Sequence, residues 1–161
     1  MADIVSDGKT RVSAVPAIAN IQSVTTTELN AGLLLQSFIT ADGLIGLKPD
    51  TAAVDTSSLD STFNTAVNGR TAFSGTMLRL KRQTPLAGDT AFLTLVRDYG
   101  FFLVVRRSIA STTAWASAQL IEVYPALCGE TARVDVEPNS VERYEIPLQI
   151  TLSPALRAAV A

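Results

Sequence analysis

The chain has 161 residues, of which 47% are hydrophobic and 17% charged, and a net charge of −2. This composition is typical of one folded domain, and the interspersed charges form no basic stripe that would grip nucleic acid. The sequence contains no histidine and one cysteine, which excludes histidine-dependent nucleophiles, most zinc and iron sites and an internal disulfide.

The N-terminal region predicts an arm and a short strand. Residues 1–10 are polar and carry no signal-peptide pattern, and no apolar run in the chain approaches the roughly 20 residues that a membrane helix needs. Arg11–Ile18 predicts a strand, with Pro16 placing it at a sheet edge because proline has no N–H to donate.

The segment from Thr25 to Gly32 predicts a short helix near Thr26–Ala31. Thr25 and Glu28 have the spacing of a capping box, in which each side chain accepts a hydrogen bond from the other's backbone N–H. We expect Gly32 to end the helix in the left-handed conformation.

Leu33–Thr40 predicts a strand, followed by a turn at residues 41–43. Residues 48–70 predict a long loop rich in Asp, Thr, Ser and Asn, and Asn68-Gly69 is typical of a hairpin turn. Within this loop Leu59, Phe63 and Val67 recur every fourth residue and would form one apolar stripe if the segment were helical. The loop has too few apolar groups to order itself alone, so we expect it to be mobile until it meets a partner.

The middle of the chain predicts a strand, a helix and a second strand. Thr71–Arg82 alternates, with Leu78 and Leu80 on one face. A helix near Ala87–Asp98 follows, with Asp89 as its N-cap and Phe92, Leu95 and Val96 at helical spacing. Gly100–Arg107 is an unbroken apolar run, typical of a central strand covered on both faces.

Five basic residues lie near the ends of these strands, and we expect them to be solvated: Arg79, Lys81, Arg82, Arg106 and Arg107. A small-residue loop carrying Trp115 then leads to a strand at Gln119–Tyr124. Leu156–Ala161 predicts a weakly helical or frayed tail, within a C-terminal tail of residues 153–161.

The most regular pattern in the chain is Ser140–Leu152, where every second residue from Tyr144 onward is apolar. This predicts a strand with Ile146 and Leu148 in the core and with Glu145, Pro147 and Gln149 on the opposite face. Because Pro147 cannot donate to a ladder, we expect an edge strand or a bulged one, and Glu145, Pro147 and Gln149 become candidates for edge-strand pairing with another copy. The element order predicts a mainly β domain over residues 1–161, a β-sandwich or partly open barrel with one flanking helix.

The sequence offers little chemistry. Cys128 has no histidine to act as its base and is expected to be a small buried hydrophobe. Asp50, Asp55 and Asp60 lack the pattern of a calcium loop, and Glu142 and Glu145 fall on opposite faces of one strand. We expect no enzymatic activity, no cofactor and no metal.

Two long segments and one strand carry a family resemblance. Val15–Leu44, with VPAIAN and TTELNAG, and Val123–Thr151, with VYP, LCG and EPNS, resemble the two halves of actinobacteriophage-type tail proteins, and FFLVVRR resembles the strand between them. In this order the segments resemble the major tail tube protein family of bacteriophages with long non-contractile tails (siphoviruses). Residues 48–70 match nothing in that pattern.

The resemblance implies a structural virion protein that self-assembles. Such proteins form hexameric rings whose inner sheets join into one barrel, and the stacked rings conduct viral DNA without binding it specifically. The implied partners are further copies and other tail proteins (tape measure, tail tip and terminator), with assembly in the host cytoplasm, a final location in the virion and no membrane contact. Neighbouring copies would cover the edge strand, and the long loop with Leu59, Phe63 and Val67 would reach the next ring.

Two alternatives belong to other classes. A tail terminator or head–tail joining protein would form a single ring, and a β-barrel ligand-binding module would be a monomer with an apolar cavity. Open-ended self-assembly in solution separates the tube protein from both.

Overall fold

The computed structural model describes residues 1–161. Strands contain 41% of the residues and helices 8%, which confirms the prediction of a mainly β protein. The strands are β1 (Arg11–Val15), β2 (Ser23–Val24), β3 (Leu33–Leu34), β4 (Ile39–Ile45), β5 (Asp50–Asp55), β6 (Ala66–Ala72), β7 (Met77–Lys81), β8 (Gly100–Arg106), β9 (Leu120–Cys128), β10 (Ala132–Arg133), β11 (Arg143–Ile150) and β12 (Ala155–Val160). The helices are α1 (Thr26–Asn30) and α2 (Thr90–Thr94), and a 3₁₀ turn at Leu86–Gly88 precedes α2.

Ten strands form one sheet that curls into a half-barrel. The strand β11 pairs with β7 through Arg143–Pro147 and with β9 through Leu148–Ile150, so the sheet bends along it. We call β3, β1, β8, β9, β12 and β2 the larger wing, and β10, β11, β7 and β4 the smaller wing. The remaining strands, β5 and β6, form a separate two-stranded hairpin.

The main core lies between the two wings and contains 16 buried residues. Ile146 and Leu148 of β11 point into it, as do Leu78 and Leu80 of β7. The period of two read from the sequence therefore assigned the inward faces of both strands correctly.

A second core of 10 buried residues lies on the other face of the larger wing. Val104 of β8 points into this second core, together with Leu29 of α1 and Trp115, whereas its neighbours Leu103 and Val105 point into the main core. Strand β8 is thus covered on both faces, which confirms the interpretation of its unbroken apolar run.

The cap of α1 is the one expected from the sequence. The Thr25 side chain accepts a hydrogen bond from the Glu28 N–H at 3.3 Å, and the Glu28 carboxylate accepts from the Thr25 N–H at 2.9 Å. The role predicted for Gly32 is wrong, since the only glycines with positive φ are Gly8, Gly46 and Gly75. Glycine is needed there because a Cβ would collide with the Ser13 side chain on β1.

The second helix is much shorter than the predicted Ala87–Asp98. Asp89 is the N-cap, as expected, and its carboxylate accepts a hydrogen bond from the Phe92 N–H at 3.3 Å. Helical geometry ends at Leu95, whose ψ is 67°, because this fully buried side chain anchors the chain where it turns toward β8.

Three segments with weak local signals take other structures than predicted. Residues 153–161 contain strand β12 instead of a tail, with Ala155, Ala158 and Val160 buried, because pairing with β9 and β2 overrides the local preference of these residues. The predicted strand at 33–40 is divided between β3 and β4, and residues 41–43 lie at a bulge inside β4 instead of in a turn. Strand β9 continues through Pro125 to Cys128 instead of ending at Tyr124.

The prediction of solvated basic residues is wrong for Arg106, which is fully buried. Its guanidinium donates to the carbonyls of Ala110, Thr113 and Ala114 at 2.8–3.0 Å and to the Gln119 side-chain oxygen at 2.8 Å. Burial lowers the pKa of Arg106, and the neighbouring cation Arg11 lowers it further.

Arg11 makes the same kind of contact from the adjacent strand. It donates to the carbonyls of Ser111 and Thr113 at 2.9 and 3.1 Å, and Arg11 and Arg106 each lie 5.1 Å from the centre of the Trp115 ring. The loop after β8 is therefore wrapped around two cations by its own carbonyl groups.

The three other arginines that were predicted to be solvated are also held by partners, to different degrees. Arg79 and Arg82 form ion pairs with side chains only 25% and 12% exposed, while Arg107 pairs with Glu122 at 3.2 Å and stays 48% exposed. Of these three arginines, only Arg107 therefore resembles the solvated strand end that was expected.

Substitutions in β11 test the assignment of its two faces. We expect Ile146→Ala to lower the free energy of unfolding by about 2–5 kcal/mol because it opens a cavity in the main core. Gln149→Ala, on an exposed position of the same strand, is expected to change it by about 0.5 kcal/mol or less. If urea denaturation showed the same loss of unfolding free energy for both variants, the assignment of the buried and exposed faces of β11 would be wrong.

Arg106→Met tests the carbonyl-lined cation. The variant removes four hydrogen bonds from a charged donor, each worth about 1.5–3 kcal/mol, although every acceptor keeps one other donor. We expect a lower unfolding temperature together with a changed Trp115 fluorescence spectrum. Arg106→Lys keeps the charge and is the control, for which we expect a smaller loss.

Candidate assembly surfaces

Strand β11 has no free edge where the sequence placed one. Its residues from Arg143 to Pro147 lie beside β7, and Tyr144 and Glu145 also pair with β10 on the other side. The prediction of an edge strand is therefore wrong, and Glu145 has its strand neighbours within its own chain.

Pro147 is tolerated because of its place in the bend. Its carbonyl accepts a hydrogen bond from the Gly129 N–H at 2.7 Å, and its own nitrogen faces the same side, toward the gap where β9 ends and β10 has not begun. The missing N–H thus leaves no ladder bond unmade. Pro147, which predicted an edge strand, instead lies where β11 changes its pairing from β7 to β9.

Gln149 is the one exposed member of this predicted set. Residues 147–154 form one wall of an open groove of about 850 Å³, and residues 71–77, which lead from the hairpin into β7, form the other wall. The groove is open on its outer side, so it differs from the enclosed apolar cavity expected for a ligand-binding barrel.

The outward face of the smaller wing carries matched charges. Arg79 of β7 donates to Glu145 at 2.8 Å and to Asp42 of β4 at 2.9 Å, and Arg143 donates to Glu137 at 2.9 Å. The hydrogen bond to Glu145 raises the pKa of Arg79, and a hydrogen bond from the Thr40 hydroxyl is the main cause of the lowered pKa of Asp42. Both arginines therefore have carboxylate partners in their own subunit.

The free edges of the smaller wing lie on its two outer strands. Strand β4 pairs only with β7, and β10 pairs only with β11. Each leaves one side of its backbone without a partner strand, and such edges are templates for pairing with another chain.

The region predicted as a long loop is a β-hairpin. Val54 of β5 lies opposite Val67 of β6, and the hydroxyls of Thr51 and Thr71 lie 2.9 Å apart across the two strands. The predicted helical stripe is wrong, because Val67 is a strand residue while Leu59 and Phe63 lie at the tip. The predicted turn at Asn68-Gly69 lies inside β6 instead.

The hairpin has no cover in the subunit. Every residue of β5 is exposed, and Leu59, Phe63 and Val67 are exposed by 106%, 75% and 55%. A lone two-stranded hairpin is marginally stable in water. Polar groups nevertheless order its tip, since the Ser57 hydroxyl accepts a hydrogen bond from the Thr65 N–H at 3.0 Å.

Three exposed apolar side chains follow the other end of β7 in the chain, and sequence reasoning missed them. Leu86, Leu93 and Val96 are exposed by 63%, 55% and 51%. The sequence indicated one amphipathic helix with Val96 on its buried face. Because the helix ends at Leu95, the following residue turns outward.

The segment behind this surface is firmly anchored. Asp89 is buried and accepts a hydrogen bond from Arg82 at 2.9 Å. The Arg82 guanidinium lies 3.6 Å from the centre of the Phe92 ring, which in turn lies 5.1 Å from the Tyr144 ring. The exposed apolar side chains are thus held on a rigid base.

Groups with the potential for chemistry are not assembled into a site. Cys128 is buried, and burial raises the pKa of its thiol to about 11. No group of three or more His, Cys, Asp or Glu side chains is placed to hold a metal ion. None of the helices has the length and apolar character needed to span a membrane.

Comparison with protein families shows which class of protein has these surfaces. Over residues 1–161 the sequence matches the family described as phage tail tube protein. The chain belongs to the phage tail tube protein family. This family is structural and is not an enzyme class, which confirms the expectation of a virion protein without catalytic function.

No curated protein matches the sequence. Among solved structures, a chain from the cryo-EM structure of the anti-feeding prophage (AFP) baseplate, 6-fold symmetrised, is similar, with a TM-score of 0.59 and 12% sequence identity. The alignment covers 98% of each chain. At this low identity the similarity shows that the two chains share a fold.

The environment of Cys128 predicts slow thiol chemistry in the folded tail tube subunit. A thiol whose pKa is raised to about 11 carries almost no thiolate at neutral pH, and the thiolate is the reactive form. We expect a thiol-reactive dye to label the native protein at least tenfold more slowly than the protein in denaturant. Similar rates would show that Cys128 is accessible.

Proposed function

We propose that this chain forms hexameric rings that stack into a phage tail tube, through which viral DNA passes. The observation that carries the proposal is the uncovered β5–β6 hairpin on a chain of the tail tube family. An exposed two-stranded hairpin with Phe63 at its tip gains stability only against another surface. The 6-fold symmetrised baseplate that contains the similar chain supports the ring order.

The ring contact we propose joins the smaller wings of neighbouring copies. Their free edges, β4 on one side and β10 on the other, allow each copy to pair with two neighbours around a closed ring. The sheets of all copies would then form one continuous barrel, and no edge would stay open to unwanted pairing.

The charged face of the smaller wing is our candidate for the lumen. Affinity for DNA comes largely from lysine and arginine side chains that neutralise phosphates. Here Arg79 and Arg143 are already paired with Glu145 and Glu137. A wall with internally balanced charges attracts passing DNA weakly, as a conduit requires.

The hairpin is our candidate for the contact between rings, with Leu59, Phe63 and Val67 as its apolar residues. Tape measure, tail tip and terminator proteins are the further partners that a tail tube implies. The tail location places the protein in the virion, and we propose that assembly takes place in the host cytoplasm.

A tail terminator or head–tail joining ring is the second candidate, because such a protein shares ring symmetry but does not stack. Negative-stain microscopy of concentrated protein separates the two. Open-ended filaments support the tube, isolated rings support the terminator, and monomers at all concentrations would contradict both.

Phe63→Ala tests the hairpin as the stacking contact. We expect the variant to keep the unfolding temperature of the parent within about 3 °C, because an exposed side chain contributes about 0.5 kcal/mol or less to subunit stability. We expect it to lose filaments, whereas the conservative variant Phe63→Leu should retain them. Normal filaments from Phe63→Ala would show that the tip does not carry the contact.

Hydrogen exchange tests the same hairpin without substitution. We expect the amides of residues 56–67 to exchange rapidly in the free subunit and at least tenfold more slowly in filaments, because ordering follows the contact. Strong protection of these amides in the monomer would contradict this expectation.

A further inference from the structure

We propose that the apolar surface of Leu86, Leu93 and Val96, which we call the α2 surface, receives the hairpin tip of a second copy in the next ring. This inference rests on the proposed function and deepens it. The proposed function assigns the hairpin to the contact between rings, and we call it the donor of that contact. The α2 surface is the site on which the hairpin tip packs, and we call it the acceptor.

Donor and acceptor lie at opposite ends of one strand. The hairpin returns into β7 at Met77, and the segment with the α2 surface begins after Lys81, where β7 ends. The hydrogen bond from the Thr76 hydroxyl to the Gly46 carbonyl, at 2.9 Å, holds the foot of the hairpin at the first end. A copy stacked in the same orientation therefore brings its α2 surface toward the hairpin of its neighbour.

The hairpin is long enough to leave its own subunit. Its strands contain 6 and 7 residues, which corresponds to about 20 Å at roughly 3.3 Å per residue. The tip residues Leu59 and Phe63 find no partner within the chain, since both are exposed.

The α2 surface has the properties of a preformed acceptor. Asp89 and Leu95 are buried beneath it, and Arg82 lies 3.6 Å from the centre of the Phe92 ring, so little ordering is left to be lost on binding. Aliphatic side chains held on a rigid base suit an aromatic side chain such as Phe63.

The open groove beside residues 71–77 is a poorer acceptor. It lies at the foot of the hairpin, at the same end of β7 as the donor. A copy stacked in the same orientation presents its opposite end there. A contact between two different surfaces at opposite ends also repeats without closing, which is what an open-ended tube requires.

Disulfide trapping tests the contact. The double variant Asn64→Cys with Leu93→Cys keeps Phe63 and places the cysteine beside it, at an exposed residue of the tip. The variant is assembled and oxidised, then analysed by denaturing electrophoresis without reductant. We expect a ladder of linked chains, because each copy offers one donor and one acceptor. Equal amounts of the two single variants should give linked dimers and no ladder. Cys128 adds little background because it is buried.

The matched control is Asn64→Cys with Leu120→Cys. Leu120 is 70% exposed at the start of β9, whereas the start of β8, which follows α2, pairs with Leu127 near the other end of β9, so we expect no ladder. Filaments that form normally but give no ladder with Leu93→Cys, or an equal ladder with Leu120→Cys, would overturn the acceptor while leaving the tube intact. Absence of filaments from the parent protein would instead overturn the proposed function.

A second variant reads out the same contact without cysteine. We expect Leu93→Asp to yield single rings in place of filaments, since a carboxylate would have to be desolvated against the phenyl ring. Leu93→Met keeps an apolar side chain and is expected to stack. Filaments of normal length from Leu93→Asp would overturn the proposal.

Discussion

The change of partners along β11 is the constraint on which the remaining structure depends. Its first half lies beside β7 and its second half beside β9, so one strand belongs to both wings. The alternating side chains Tyr144, Ile146 and Leu148 can then fill the space between the wings. Without this bend the smaller wing would have no core to cover, and its free edges β4 and β10 would not face outward on either side.

The two ends of the subunit are built in different ways. At one end the exposed hairpin is held by its own ladder between β5 and β6, with Thr-Thr and Ser-backbone hydrogen bonds in addition. At the other end α2 is anchored by the buried pair of Asp89 and Arg82. If the adaptable hairpin binds the preformed α2 surface, only the hairpin loses conformational entropy on assembly. This asymmetry also favours stacking in one direction over closed pairing.

The buried arginine side chains of this protein stabilise its fold and take no part in the proposed assembly surfaces. Arg106 and Arg11 are surrounded by carbonyl groups of the loop after β8, and each lies 5.1 Å from the centre of the Trp115 ring. A guanidinium can satisfy several carbonyls of an irregular loop at once. That loop is thereby ordered without regular secondary structure, which keeps the N-terminal arm beside it, since the Ser111 N–H donates to the Gly8 carbonyl.

The sequence by itself determined the elements whose local signal is strong. The alternation from Tyr144 to Ile150, the apolar run of β8 and the capping box of Thr25 and Glu28 each reflect physics within a few residues, and all three are present. The strand ends before the predicted Leu152, which is exposed. The sequence also showed the family resemblance, although residues 48–70 and the residues of the α2 surface are not among the segments that carry this resemblance.

Only the tertiary structure decided which strands are edges and which apolar residues stay exposed. Pro147 is internal because β11 changes partners there, and residues 155–160 form a strand because β9 and β2 flank them. Val96 is exposed because buried Leu95 ends the helix one residue earlier. In each case the deciding contact comes from residues far away in the chain, whose positions no local pattern encodes.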